Sequence, residues 1–192
     1  MLADSIKEIN KSINVCIGGS ATTFDIDDSF VCDSVDYIIY GEGESTLIEL
    51  LEAIRINERT MSYKNIKGLY YRDANDMKKN MKRSFIKDLD LLPILNRGLC
   101  SLDKFGNQVF VSTSRGCSAK CVFCVASALS GSVYRVRNVK NLYMELLYLN
   151  NIIKVRPLRF NFIDDTFTAI PKRVRELADI VRNYGTNVTS FK

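Results

Sequence analysis

Three of the six cysteines in this 192-residue chain fall in one short stretch, SRGCSAKCVFC at residues 114–124. Cys117, Cys121 and Cys124 are spaced C-x3-C-x2-C, and the chain contains no histidine to join them. Three kinds of chemistry suit thiols this close together. A structural zinc ion needs four ligands in tetrahedral array, usually drawn as two close pairs. Its fourth ligand would be Cys16, Cys32 or Cys100, of which Cys100 is the nearest in sequence. A disulfide leaves one thiol over and belongs to an oxidising compartment. A four-iron four-sulfur (4Fe-4S) cluster can be held by thiolates at three corners, because so short a loop bends around a cubane. The remaining iron then lacks a protein ligand, and an open coordination position is what separates catalytic from structural metal sites.

The missing histidine also removes Ser-His-Asp catalysis, mixed Cys/His zinc sites and imidazole ligation of haem or corrinoid. The elements that must position the cysteines read as α/β. Leu2, Ile6 and Ile9 share a helical face, and INVCIGG follows as a short buried strand in which Cys16 packs as a small hydrophobe. VDYIIYGEGE is a second strand ending in a glycine turn. In STLIELLEAI, Leu47, Leu50, Leu51 and Ile54 form a helical stripe, with Thr46 and Glu49 at capping-box spacing. Strand, turn and helix in succession predict part of a parallel, doubly wound sheet. Residues 66–86 read as a hairpin turning at DAND, and KDLDLLPILNRGLC as a connector. QVFVSTSRGC is a strand running into the cysteine loop. Leu142, Leu146, Leu149 and Ile153 make a helical stripe, LRFNFIDD a strand, and Pro171 opens a helix with Val174, Leu177, Ala178 and Val181 inward. GTNVTSFK begins a further strand.

Apolar residues make up 46% and charged residues 26%, an ordinary balance for a globular chain able to bury a core. No apolar run approaches the roughly 18 residues of a membrane span. The charged start of the chain does not read as a signal peptide, so a cytoplasmic location with reduced thiols is expected. The net charge of +5 is dispersed. MKKNMKR, at 77–83, is the one compact basic stretch and reads as a solvated hairpin or loop, so nucleic acid is not an expected partner.

With Phe123 directly before the last cysteine, the C-x3-C-x2-C loop resembles the signature of the radical S-adenosylmethionine (radical SAM) enzymes. In that family the open iron chelates the amine and carboxylate of S-adenosylmethionine. One electron enters the sulfonium, a C–S bond breaks, and a 5′-deoxyadenosyl radical takes hydrogen from the substrate. The organic chemistry is the cofactor's, and the protein positions and shields it. The resemblance implies that Cys117, Cys121 and Cys124 bind the cluster and that Phe123 lies against the adenine. It also implies an incomplete βα barrel with the cluster loop after its first strand and the site at the C-terminal strand ends. Asp164 and Asp165 then fall at the end of the second strand, where a carboxylate would accept from the methionine ammonium; a plain acidic loop or helix cap is the alternative. YRVRNVKNLYMEL resembles a Tyr/Arg-x-Arg-Ser segment with Asn138 in place of serine, which makes Tyr134, Arg137 and Glu145 candidates for the cofactor shell. Arg115 and Lys120 either offset the negative charge of a cluster or are ordinary exposed cations.

The upstream order of pieces, from about Ile13, resembles the radical SAM subclass preceded by a cobalamin-binding domain. The implied fold is α/β: the C-terminal part of a Rossmann-like cobalamin-binding domain (1–65), a hairpin and connector (66–106), and the first βα units of a radical SAM partial TIM barrel (107–192). Gly18, Gly19, Gly41, Glu42 and Gly43 match turns that face the nucleotide end of a corrinoid, although such glycines alone are commonly turn formers. A dinucleotide fingerprint fails, because Thr46 stands where its third glycine belongs. Only the last two strands of a cobalamin domain are represented, and a histidine-ligated corrinoid is excluded. An eight-unit barrel takes about 250 residues, so 107–192 holds fewer than about three units and the chain reads as truncated at both ends. The implied chemistry is methyl transfer, radical rearrangement or ring closure on a small-molecule substrate, with a flavodoxin or ferredoxin as electron donor. The methylthio-transferring members usually bring further upstream cysteines, which Cys16 and Cys32 do not imitate. The rival expectation is a non-catalytic metal-binding or interaction module in which Cys100 closes a zinc or iron–sulfur site.

Overall fold

The computed structural model describes residues 2–24, 32–56, 63–74, 76–99, 106–155, 157–184 and 188–191. The chain divides into two compact units, one of residues 1–86 with 128–130 and one of 87–127 with 131–192.

The first unit is a four-stranded mixed sheet with helices on both faces. β1 (Cys16–Gly18) pairs parallel with β2 (Tyr37–Ile39), β2 pairs antiparallel with β3 (Leu69–Asp73), and β3 turns back into β4 (Asp76–Lys79). The hairpin thus completes the sheet, with Ala74 in the left-handed region at its turn (φ 54°). Side chains alternate along a strand, so β2 feeds two cores. Ile38 joins Ala3, Val15 and Val35 beneath α1 (Leu2–Ile9), whereas Tyr37 and Ile39 join Leu50, Ala53, Leu69 and Tyr71 beneath α3 (Glu44–Ile56). A strand covered on both sides must be apolar throughout, which explains YII.

Three sequence expectations change here. α1 turns Ala3 and Ile6 inward, leaving Leu2 and Ile9 exposed, because the small alanine lets the helix approach the sheet. α3 buries Thr46, Leu50 and Ala53, while Leu47 and Leu51 face outward. The helix already starts at Glu44, so Thr46 is no cap. Its hydroxyl donates to Lys67 O at 2.8 Å and accepts from Arg83 Nε at 2.9 Å, and Arg83 pairs with Glu49 at 2.5 Å. These polar ties rotate the buried face away from the leucine stripe. Cys16 is exposed. It lies on the edge strand and on the opposite face from Val15 and Ile17, and β1 contributes nothing to the core under α3.

The tightest glycine in this unit is Gly68, in the left-handed region at φ 79°. A Cβ there would sit 2.9 Å from Thr46 Oγ1 and 3.3 Å from Tyr40 O. Gly68→Ala is expected to destabilise the chain by about 2–3 kcal/mol. Gly106→Ala, with φ 64° but nothing within 4 Å, should cost about 1 kcal/mol. Urea titration of the two variants checks the difference.

The second unit is a parallel βα array. β5 (Gln108–Val111) pairs with β8 (Leu158–Phe162), and β8 with β9 (Val188–Phe191). α5 (Val139–Ile152) connects the first two strands and α6 (Pro171–Tyr184) the next two. Alternation along β5 and β8 sends Val109, Val111, Leu158 and Phe160 into the core, where Leu142, Leu146, Leu149 and Ile153 meet them as the stripe predicts. Truncating any one of these leucines would cost about 2–5 kcal/mol. α6 departs from expectation. It buries Arg173 and Leu177, while Ala178 faces out. A two-stranded antiparallel ribbon, β6 (Ser114–Arg115) with β7 (Arg135–Val136), flanks the cysteine loop. No helix among the described residues is long and apolar enough to cross a membrane.

Candidate functional site

The cysteine loop leaves the C-terminal end of β5 through Thr113 and β6, then turns at Gly116, whose φ of 87° suits glycine. Cys117 follows, half-buried, with its N–H donating to Gly131 O at 3.4 Å. Cys121 and Cys124 are exposed and share a turn in which Cys124 N donates to Cys121 O at 3.1 Å. Phe123 is 87% exposed. Its ring belongs to no core, so a planar ligand would find it available. Among the described residues no three Cys, Asp or Glu side chains are gathered as an ion-binding group. Cys100 lies outside the described residues.

The root of the loop is held from three directions. Asp164, just beyond β8, accepts hydrogen bonds from Thr113 N (2.6 Å), Ser114 N (3.0 Å) and the Thr113 hydroxyl. Arg173 reaches from α6 and donates through Nη2 to Thr113 O at 2.9 Å and through Nε to Arg137 O at 3.3 Å. Burial pulls its guanidinium below the ordinary arginine pKa, opposed by the Tyr134 phenol and Asp164. The third tie is the Arg137–Glu145 ion pair, with Glu145 buried in α5 and Arg137 also donating to Ser112 O at 3.2 Å. An ion pair this enclosed stays favourable only when both members are present.

Of the two acidic candidates, Asp164 is therefore committed to backbone and hydroxyl donors, and Asp165 is the exposed one. Tyr134 donates to Thr166 O at 2.9 Å, and Thr166 Oγ1 lies 3.5 Å from Cys117 Sγ. Asn138 caps α5 by accepting from Lys140 N at 2.8 Å. Asparagine and serine cap equally well, which accounts for the replacement in the Tyr/Arg-x-Arg-Ser pattern. Asp90, from the connector, accepts from Asn138 N at 2.9 Å.

In the first unit, the register Gly18↔Ile39 sets the turns after β1 and β2 side by side at the C-terminal end of the parallel pair. Gly19 and Gly41 both have positive φ, 117° and 80°. Thr22 and Thr23, on α2 (Ser20–Phe24), stitch the turns together: Thr22 donates to Ile39 O at 2.9 Å, and Thr23 accepts from Gly41 N at 2.9 Å. A Cβ at Gly43 would meet Ile39 Cγ2 at 3.0 Å, so its smallness serves packing. Glu42 accepts from Ile86 N at 2.6 Å. Strand-end turns beside a parallel pair are where open α/β sheets bind ligands.

Sequence reasoning missed Asp90, Thr113, Thr166 and Arg173. Arg173 carried a usable signal. It precedes Leu177 by one helical turn, so it sits on the inward stripe of α6, where a charge needs a reason. Thr166 stands in the same DDTF run as the acidic pair. Thr113 and Asp90 carried none, since their partners are remote in sequence.

No family model matches the chain. An uncharacterized methyltransferase of Pyrococcus horikoshii is 30% identical over 193 residues, covering 98% of this chain and 41% of its own length. Among solved structures, the radical S-adenosylmethionine methyltransferase TsrM of Kitasatospora setae, with cobalamin and a 4Fe-4S cluster bound, superposes with a TM-score of 0.71 at 20% identity, covering 95% of this chain and 36% of that one. The cobalamin-dependent S-adenosylmethionine radical enzyme OxsB, with aqua-cobalamin and S-adenosylmethionine bound, superposes with a TM-score of 0.77 at 19% identity, covering 99% of this chain and 27% of that one. At this identity the likeness is one of fold. The chain spans less than half the length of each of these proteins.

Proposed function

From a chain that has the fold of the cobalamin-dependent radical SAM enzymes, we infer a protein that holds a 4Fe-4S cluster through Cys117, Cys121 and Cys124. It binds S-adenosylmethionine beside them and serves methyl transfer or radical rearrangement of a small-molecule substrate. The observation that carries this reading is the placement of three thiols, two of them exposed, on one loop at the C-terminal end of a barrel-type strand. The donor set fits the group: three soft sulfur ligands and no competing imidazole. When bound, such a cluster delivers one electron to S-adenosylmethionine, whose C–S bond breaks to give a 5′-deoxyadenosyl radical.

The chain's own residues bind and position. Asp164, Arg173 and the Arg137–Glu145 pair fix the point from which the loop departs. Phe123 offers its ring and backbone to the adenine, and Asp165 its free carboxylate to the methionine ammonium. Tyr134, Arg137 and Glu145 act through the backbone they hold. In the first unit, the paired turns at Gly18–Gly19 and Gly41–Gly43 offer backbone approach to the nucleotide end of a cobalamin. A flavodoxin or ferredoxin supplies the electron, and the cytoplasm keeps the thiols reduced.

Anaerobic purification and reconstitution test the reading. A brown protein with roughly four iron and four sulfide per chain, forming 5′-deoxyadenosine from S-adenosylmethionine under dithionite, is expected. A colourless protein with one zinc, Cys100 completing the set, would overturn it in favour of a metal-binding module.

A further inference from the structure

Thr166 occupies the N-cap position of a short 3-10 turn, Phe167–Ala169, and its hydroxyl makes no capping hydrogen bond. Threonine at such a position ordinarily turns its oxygen back on the helix N–H groups. Here Oγ1 lies 3.5 Å from Cys117 Sγ instead. The rest of the residue is held in place. Its carbonyl accepts from the Tyr134 hydroxyl at 2.9 Å and from Ala169 N at 3.2 Å, and the following Phe167 stacks on Phe162 with ring centroids 4.6 Å apart. Cys117 is also the one member of the trio that is half-buried, Cys121 and Cys124 being exposed.

We propose that Thr166 is a positioning residue for Cys117, its hydroxyl donating a hydrogen bond to the ligand sulfur and thereby raising the reduction potential of the bound cluster. The proposal rests on the cluster-binding reading above and adds to it a residue and a direction. A ligating thiolate carries no proton, so the hydroxyl is the only member of the pair that can donate. A donor on a ligand sulfur stabilises the more negative, reduced cluster, and such bonds are among the means by which proteins set cluster potentials.

The test uses the full chain, reconstituted anaerobically, with Thr166→Val, Thr166→Ala and Thr166→Ser. Iron and sulfide content is measured first, then the midpoint potential by a redox titration followed by electron paramagnetic resonance. The expected result is a full cluster in all four proteins, with the midpoint displaced to more negative values in the valine and alanine variants and unchanged in the serine variant. Loading of the serine variant but of neither other variant also supports the hydroxyl's role. An unchanged midpoint in valine and alanine overturns the proposal, as does a serine variant displaced or emptied like the other two, since packing would then be the cause. If the parent chain itself takes up no cluster, the functional reading falls and this proposal with it. A loaded parent with insensitive variants removes Thr166 alone.

Discussion

If the chain acts as proposed, alanine at any one of Cys117, Cys121 or Cys124 is expected to abolish 5′-deoxyadenosine formation, whereas Cys16→Ala is expected to leave it unchanged. The expected loss exceeds about 100-fold, the upper end of what losing a mere outer-shell partner costs a metal site. Three thiolates are the fewest that leave a four-iron cluster with a single open corner, so removing one opens a second corner to solvent and to loss of iron. Cys16 is the proper control because it is exposed on the edge strand of the other sheet. The assay is 5′-deoxyadenosine production alongside iron and sulfide content. Retained turnover in any loop variant would remove that cysteine from the ligand set, and loss in Cys16→Ala would require a different one.

Asp164→Ala and Asp165→Ala are expected to behave as opposites. Asp164 satisfies three donors at the root of the cysteine loop. Hydrogen bonds to a charged group contribute about 1.5–3 kcal/mol each, and donors left unpaired in a buried place cost a further 1–3 kcal/mol or so. Such terms are not additive, and the expected destabilisation is about 3–5 kcal/mol. Asp165 is exposed, so its replacement should stay within about 0.5 kcal/mol. On the proposed function, its effect is expected instead as weaker binding of S-adenosylmethionine by the loaded protein. Urea denaturation followed by circular dichroism measures the first quantity; tryptophan emission would not serve, since the chain has none. Equal stability of the two variants would mean that Asp164 does not brace the loop.

On α5 the sequence was legible, even though Glu145 shares the buried face through its pair with Arg137. Leu142, Leu146, Leu149 and Ile153 repeat at helical spacing, and all four are buried. The hairpin expected at DAND formed, with Ala74 in the left-handed region of its turn and Asn75 outside the described residues. On α3 and α6, where a polar residue takes a place on the buried face, the stripe misled. Thr46 and Arg173 are inside because remote partners bond to them: the Lys67 carbonyl and Arg83 for one, the Thr113 and Arg137 carbonyls, through Nη2 and Nε, for the other. Hydropathy scores a residue by its own transfer energy and cannot include a partner contributed by another element. The buried faces of α3 and α6 were therefore shifted from the expected ones.

The candidate site divides along the same line. Local chemistry sufficed to nominate the trio of thiols, the aromatic before the last of them and the turn glycines as candidates, and to read the α/β order of elements, because each depends on residue type and short-range spacing. Tertiary structure decided which carboxylate braces and which stays free, set Thr166 beside Cys117, and drew Arg137 and Glu145 into a mutual pair. Those outcomes hang on contacts such as Thr113 with Asp164 and Cys117 with Thr166, between residues about fifty positions apart. Only the parallel pairing of β5 with β8 brings such residues together.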